Sequence, residues 1–209
     1  GSVRCVKETD EREVDYVGGA AIVARHVRQA GADVVFTTVM GNDERKDFVL
    51  EEMEKHGIHC RAIVDVTRPT TQKNIFIADN YRLLKLDKVD NRSISETIRD
   101  EIAASLRDQP GDAYVFSDFR HGIFNRATTP VFIDALDENA LRIADSQVAS
   151  RWGNILEFRG FDLITPNEKE ARFALGDQDS VMRPLAFELY KRARCKTLIL
   201  KAGDRGIIT

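Results

Sequence analysis

Short apolar runs alternate with amphipathic stretches along most of the chain, a pattern that predicts strands separated by helices. Residues 34–36 (Val-Val-Phe) read as a buried strand, followed by a helix over 45–56 that closes at Gly57. Residues 114–117 predict a second strand, and a helix carrying Val131, Phe132, Ala135 and Leu136 on one face comes after it. Strands over 141–144 and 162–165, a helix over 168–175 stopped by Gly176, a helix over 184–194 and a strand over 197–200 complete the series. Strands joined through helices imply crossover connections and a mostly parallel sheet, hence an α/β fold.

Two regions break the rhythm. Residues 2–17 carry Val3, Cys5 and Val6, then Val14, Tyr16 and Val17, around a charged turn at 8–11. Residues 61–87 carry Ala62-Ile63-Val64, Asn74-Ile75-Phe76-Ile77-Ala78 and Tyr81-Arg82-Leu83-Leu84-Lys85-Leu86, with Asp79-Asn80 as a hairpin turn. Both read as antiparallel strands outside the main sheet. No repeat, low-complexity tract or Pro/Gly/Ser linker divides the sequence, so a single domain over 1–209 with a β appendage is the expectation.

The 209 residues are 43% hydrophobic and 31% charged, enough apolar content for a packed core and against disorder. A net charge of −3 argues against a nucleic-acid binder. No apolar run nears the roughly 18 residues of a membrane helix. Gly1-Ser2 reads as a scar of tag removal, and no secretory leader is evident. Cys5, Cys60 and Cys195 are odd in number and far apart, which points to a reducing cytoplasm.

Three segments could carry chemistry. Gly18-Gly19-Ala20-Ala21 opens an apolar helix that runs to about Ala30. Paired glycines bare the backbone there, and the first helical amides suit an oxygen-rich ligand. The same pair is also an ordinary helix start, and it matches neither G-x-G-x-x-G nor the P-loop pattern. Thr165-Pro166-Asn167-Glu168-Lys169-Glu170 lies at a strand's C-terminal end, where open α/β sheets bind ligands. Asn167 and Glu170 have capping-box spacing, which explains them without function; functionally, their oxygens suit hydrated Mg²⁺ and phosphates. Lys201-Ala202-Gly203-Asp204-Arg205-Gly206 is either a plain hairpin turn or a turn whose amides face phosphate.

His56 and His59 are separated by Gly57 and give no metal pattern; His26 reads as an exposed or partly buried helix residue, His121 as a surface residue with substrate contact as the alternative, and Trp152 as packing. The mixed charges between residues 44 and 55 are a solvated helix face.

In order, the chain shows Gly-Gly-Ala-Ala at a helix start, Phe116-Ser117-Asp118-Phe119, Asp145 at a strand end, Thr-Pro-Asn-x-x-Glu and a G-x-x-G turn. This series resembles the PfkB (ribokinase-like) carbohydrate kinases over essentially the whole length. Within that family it is most similar to the kinase domain of bifunctional ADP-heptose synthase, through Thr70-Thr71-Gln72-Lys73 and Leu83-Leu84-Lys85-Leu86-Asp87. The resemblance implies a three-layer α/β/α domain, incomplete here, with a small antiparallel β lid formed from about 2–17 and 61–87. It implies ATP as donor, Mg²⁺ as helper and a sugar or sugar-phosphate hydroxyl as acceptor. Gly18, Gly19 and Lys73 would line the sugar side, with Asp118 a further sugar contact. Asn167, Glu170, Lys201, Gly203 and Gly206 would bind the nucleotide, and Glu170 would hold Mg²⁺ through water. Relatives also lead to the expectation of a homodimer packed lid to lid, using apolar residues such as Ile63, Ile75, Phe76 and Ile77.

Some positions depart from the family. Its catalytic base sits in a Gly-Ala-Gly-Asp motif that opens a helix; Ala202-Gly203-Asp204 mimics the letters but runs into the apolar Ile207-Ile208, so the base is expected beyond Thr209. The family's first strand, with a sugar-binding Asp, is expected before residue 2. Ile22 stands where an Asn is usual, and Ile75 where the heptose kinases carry an Arg. Isoleucine neither hydrogen-bonds a hydroxyl nor pairs with phosphate, which argues against a heptose phosphate. The alternative is a sugar- or nucleotide-binding domain without catalysis; a Rossmann oxidoreductase lacks its glycine fingerprint.

Overall fold

A computed structural model describes residues 2–8, 13–78, 80–147 and 155–209, the first stretch by its backbone alone. The charged turn, Asp79 and Trp152 lie outside the described residues. The chain divides into two units, Gly1–Arg92 and Ser93–Thr209.

The first unit runs β1 (Ser2–Glu8), β2 (Glu13–Gly18), α1 (Ala20–Gln29), β3 (Val35–Met40), α2 (Glu44–Lys55), β4 (His59–Val64), β5 (Thr71–Ala78) and β6 (Tyr81–Lys88). α1 begins at once after β2 because Gly19 takes φ 57°, ψ −129°, a region open essentially to glycine. α2 is started by Asp43, whose Oδ1 accepts from Lys46 N at 3.1 Å. Val49 and Met53, four residues apart on α2, are fully buried in a cluster with Val17, Ala21, Ala24, Phe36, Met40 and Ile58. Each such side chain contributes about 1.5–3 kcal/mol by leaving water.

The end of β3 is stitched to the start of β5. Gly41 N donates to Thr70 Oγ1 at 3.0 Å, and Thr70 N donates to Asp43 Oδ2 at 2.8 Å. A Cβ on Gly41 would stand 2.5 Å from the carbonyl oxygen of Arg68, so only glycine fits.

Two expectations about the appendage change. β4 pairs in parallel with β3, Val35 opposite His59, so residues 59–64 belong to a core-type βαβ unit and not to the appendage. The appendage is a four-stranded sheet in the order β2-β1-β5-β6, and its central pair, β1 with β5, is parallel. Nor are Ile63 and Ile75 exposed: they retain 5% and 2% of their surface. Exposed apolar side chains lie on both edge strands, at Tyr81, Leu83, Leu84 and Leu86 of β6 and at Val14 and Tyr16 of β2. Period-two patterning could not tell which strand formed the edge, since both β5 and β6 are apolar.

The second unit runs α3 (Glu96–Arg107), β7 (Ala113–Asp118), α4 (Thr129–Ile133), β8 (Leu141–Ser146), a 3-10 turn (Ile155–Phe158), β9 (Leu163–Ile164), α5 (Glu168–Leu175), α6 (Met182–Ala193), β10 (Thr197–Leu198), β11 (Leu200–Lys201) and β12 (Ile207–Ile208). β7 to β10 form one parallel sheet in the order β10-β9-β8-β7. The run at 197–200 is split: β10 joins that sheet, whereas β11 turns back into an antiparallel hairpin with β12. α4 is a five-residue helix, shorter than the apolar face suggested, and α3 was not foreseen. The core holds Phe116, Phe124, Phe132, Phe158 and Phe161, whose rings meet at centroid distances of 5.1–6.0 Å in tilted or edge-on pairs.

Candidate functional site

The second unit gathers polar side chains at the C-terminal ends of β8, β9 and β11, the rim where parallel sheets receive ligands. The register pairs Ala144 with Ile164, so Asp145, near the end of β8, and Thr165, just past β9, lie side by side. Thr165 Oγ1 donates to Asp145 Oδ1 at 2.8 Å. Lys201 Nζ reaches the same oxygen at 2.8 Å across 56 residues of sequence. The Lys201 backbone is fixed as well: its N donates to Pro166 O at 2.8 Å, and the residue forms a β-bridge with Asn167.

Asn167 caps α5. Its Oδ1 accepts from Glu170 N at 2.9 Å, and Glu170 Oε2 accepts from Asn167 N at 2.7 Å. This reciprocal pair is a complete capping box, so local folding alone accounts for the Asn-x-x-Glu spacing. Glu170 is buried, and desolvation pushes its carboxyl above the usual glutamate range, helped by the Asp145 charge and opposed by its bonds to Asn167 and by Lys201. Glu168 accepts from Arg172 at 2.7 Å and from Arg205, which hold its carboxyl below the usual range.

Gly203–Arg205 form one 3-10 turn between β11 and β12. Gly203 and Gly206 are exposed and have positive φ, with open space where a Cβ would stand, so bare backbone faces outward beside Lys201 and Arg205. Asp204 sits within this hairpin, in the 3-10 turn, and opens no α-helix.

Asp145 and Glu170 give a donor set suited to Mg²⁺ carried largely by phosphate oxygens and water. Among the described residues no group of three or more His, Cys, Asp or Glu could hold a metal unaided.

In the first unit, Gly18 and Gly19 form the bare start of α1, where no side chain caps the helix. Ile22 is exposed one turn on, and Lys73 is half-buried on β5, opposite Asp87 of β6.

Asp118, at the C-terminal end of β7, is held in a buried ion-pair network. It is 2% exposed, and its oxygens accept from Arg120 N at 2.7 Å, Arg120 Nε at 2.9 Å and Ser146 Oγ at 3.1 Å. Burial pushes its pKa up to about 6 despite Arg120. The Arg120 guanidinium also bonds Ser146 Oγ, Glu157 Oε2 and Gln147 O, so Asp118 is one corner of a buried network that shapes the loop after β7. The sequence signal for Asp118 was its place at a strand end. Thr165 was marked only as part of the Thr-Pro-Asn-x-x-Glu segment, and Arg120 gave no signal, since an arginine in a loop does not mark a site by itself.

Comparison with known proteins gives the family and the fold. A family model described as "pfkB family carbohydrate kinase" matches residues 3–209. The bifunctional protein HldE of Helicobacter hepaticus is 30% identical over 186 residues, covering 85% of this chain and 37% of its own length. That of Rhodopseudomonas palustris is 29% identical over 203 residues, covering 93% and 41%. The chain thus spans about two fifths of these curated relatives. Among solved structures, phosphofructokinase-2 from Escherichia coli in complex with fructose-6-phosphate superposes with a TM-score of 0.74 at 13% identity, over 99% of this chain and 72% of that one. Ribokinase from Giardia lamblia gives 0.73 at 15%, over 99% and 68%. The fold is therefore ribokinase-like α/β, and the chain belongs to the pfkB family of carbohydrate kinases.

Proposed function

We propose that the protein transfers the γ-phosphoryl group of ATP to a hydroxyl of a sugar or sugar phosphate. The observation that carries this reading is the strand-end cluster of the second unit. There Asp145, Asn167, Glu170 and Lys201 meet beside the open Gly203–Gly206 turn in a chain whose family phosphorylates carbohydrates.

In this reading the turn backbone and Lys201 take the nucleotide phosphates, stabilising charge on the transferring group. Asn167 and Glu170 orient the phosphates and hold Mg²⁺ through water. Mg²⁺, when bound, neutralises charge on the β- and γ-oxygens. The bare start of α1 at Gly18 and Gly19, with Lys73, takes the sugar, and the four-stranded sheet serves as its lid. Ile22 presents no polar group where the family usually has Asn, nor Ile75 where the heptose kinases have Arg, which favours an acceptor other than a heptose phosphate.

The edge strand β6 exposes Tyr81, Leu83, Leu84 and Leu86 at 75%, 66%, 48% and 51%, and we place a homodimer contact there. Light scattering at tens of micromolar should give twice the monomer mass. Among the described residues no helix is long and apolar enough to cross a membrane. ATP as donor and the free thiols of Cys60 and Cys195 support a cytoplasmic setting.

The test is a thermal-shift panel on the full-length gene product with ATP–Mg²⁺, ADP and candidate sugars, followed by transfer of labelled γ-phosphate. A shift with nucleotide and label on one sugar class supports the proposal. Binding without transfer to any sugar moves the protein to the non-catalytic reading.

A further inference from the structure

The two basic side chains flanking the Gly203–Gly206 turn are each tied to a carboxylate. Lys201 Nζ lies 2.8 Å from Asp145 Oδ1, and Arg205 Nη2 pairs with Glu168 Oε2. We propose that Lys201 and Arg205 are phosphate-binding cations held in reserve by these acids, and that an anionic polyphosphate ligand displaces the carboxylates from them. The inference rests on the nucleotide reading and adds the residues that sense the phosphate charge.

Three features argue for exchange and against fixed struts. First, both pairs are solvent-accessible, with side-chain exposures of 44% and 36% for Lys201 and Asp145 and of 59% and 26% for Arg205 and Glu168. Ion pairs at such exposure are weak and screened by salt, whereas a polyphosphate offers several charges at once. Second, each acid keeps another donor when its cation leaves. Thr165 Oγ1 stays on Asp145 at 2.8 Å, and Arg172 Nη2 stays on Glu168 at 2.7 Å, so neither carboxylate is orphaned. Third, the Lys201 stem is anchored while its head is not buried. Its backbone is held by Pro166 O, by the bridge to Asn167 and by pairing with Ile207, leaving the four-carbon side chain to swing. With the cations neutralised at rest, the turn is kept from capturing stray anions, and affinity is directed to ligands with enough charge to compete.

The test is equilibrium binding of ATP and of adenosine, without Mg²⁺, to the full-length protein and its variants. Asp145→Asn and Glu168→Gln release the cations and should tighten ATP up to about five-fold, the ceiling for an exposed ion pair, while adenosine is unchanged. Lys201→Met and Arg205→Met should weaken ATP several-fold and flatten its salt dependence, again sparing adenosine. Asp145→Asn combined with Lys201→Met should bind ATP as Lys201→Met does. The inference is overturned if the acid variants weaken ATP as much as the cation variants, or if adenosine moves in parallel. The Glu168/Arg205 pair keeps the test decisive if a variant of the other pair fails to fold. Wild-type protein that binds neither ligand would instead overturn the nucleotide reading itself.

Discussion

Arg120 offers the sharpest energetic test, because its side chain and its backbone pull in opposite directions. The residue adopts φ 61°, a left-handed conformation costing a non-glycine residue about 1–2 kcal/mol. Against that, its guanidinium is 4% exposed and lies 2.9 Å from Asp118 Oδ2 and 3.2 Å from Glu157 Oε2. Removing one partner of a buried pair costs about 3–5 kcal/mol, because the remaining charge is stranded. Arg120→Gly relieves the strain and strands both acids, so its net cost at pH 7.5 should be about 1–4 kcal/mol; Arg120→Ala keeps the strain and should cost the full 3–5. Urea denaturation followed by far-UV circular dichroism measures both. The sign of the pH dependence follows from Asp118, whose folded pKa of about 6 lies above the ordinary 3.8. A raised carboxyl binds its proton more tightly when folded. Its contribution to stability is full below about pH 4 and is lost as pH rises through about 6, a span of about 3 kcal/mol at most. Asp118→Asn should abolish that slope, and the cost of Arg120→Ala should be smaller at pH 5 than at pH 7.5. A cost under 1 kcal/mol for Arg120→Ala, equal at both pH values, would refute the buried-charge account.

Other outcomes follow from single contacts. Gly41→Ala forces a Cβ to 2.5 Å from Arg68 O and 2.7 Å from Thr70 N, and should lower stability by about 1–3 kcal/mol in a thermal melt. Met53→Ala empties a fully buried site in the first unit and should cost about 2–5 kcal/mol by urea denaturation. Cys60, whose thiol is pushed up to about 11 by burial, should react with a thiol reagent at pH 8 far more slowly than in urea.

The strands of the second unit were legible because short apolar runs such as 114–116 and 163–164 recur between helical stretches, although β7 itself alternates buried Tyr114 and Phe116 with exposed Val115. α5 was legible at both ends, since Asn167, Glu170 and Gly176 are local signals that act within one turn. α3 is marked as well, by the Ser95 cap and by Ile98, Ile102 and Ala103 at helical spacing, but its apolar face is sparser than the strand runs around it. β4 was misplaced because its short apolar run gives no partner; parallel pairing with β3 is a tertiary fact. The same limit applies at the site. Asn167 and Glu170 announce themselves through spacing, whereas the Lys201–Asp145 contact joins residues 56 apart and appears only once β8 and β11 are in place. For Asp118 the sequence shows only a strand-end carboxylate; its burial against Arg120 appears once the fold is in place.

Hydrogen exchange read by mass spectrometry, with and without ATP–Mg²⁺, tests most directly whether the strand-end cluster is the phosphate site. The account predicts slower exchange in peptides spanning residues 165–170 and 201–206 when nucleotide is added. Bound nucleotide that leaves both segments unchanged while protecting others would contradict it.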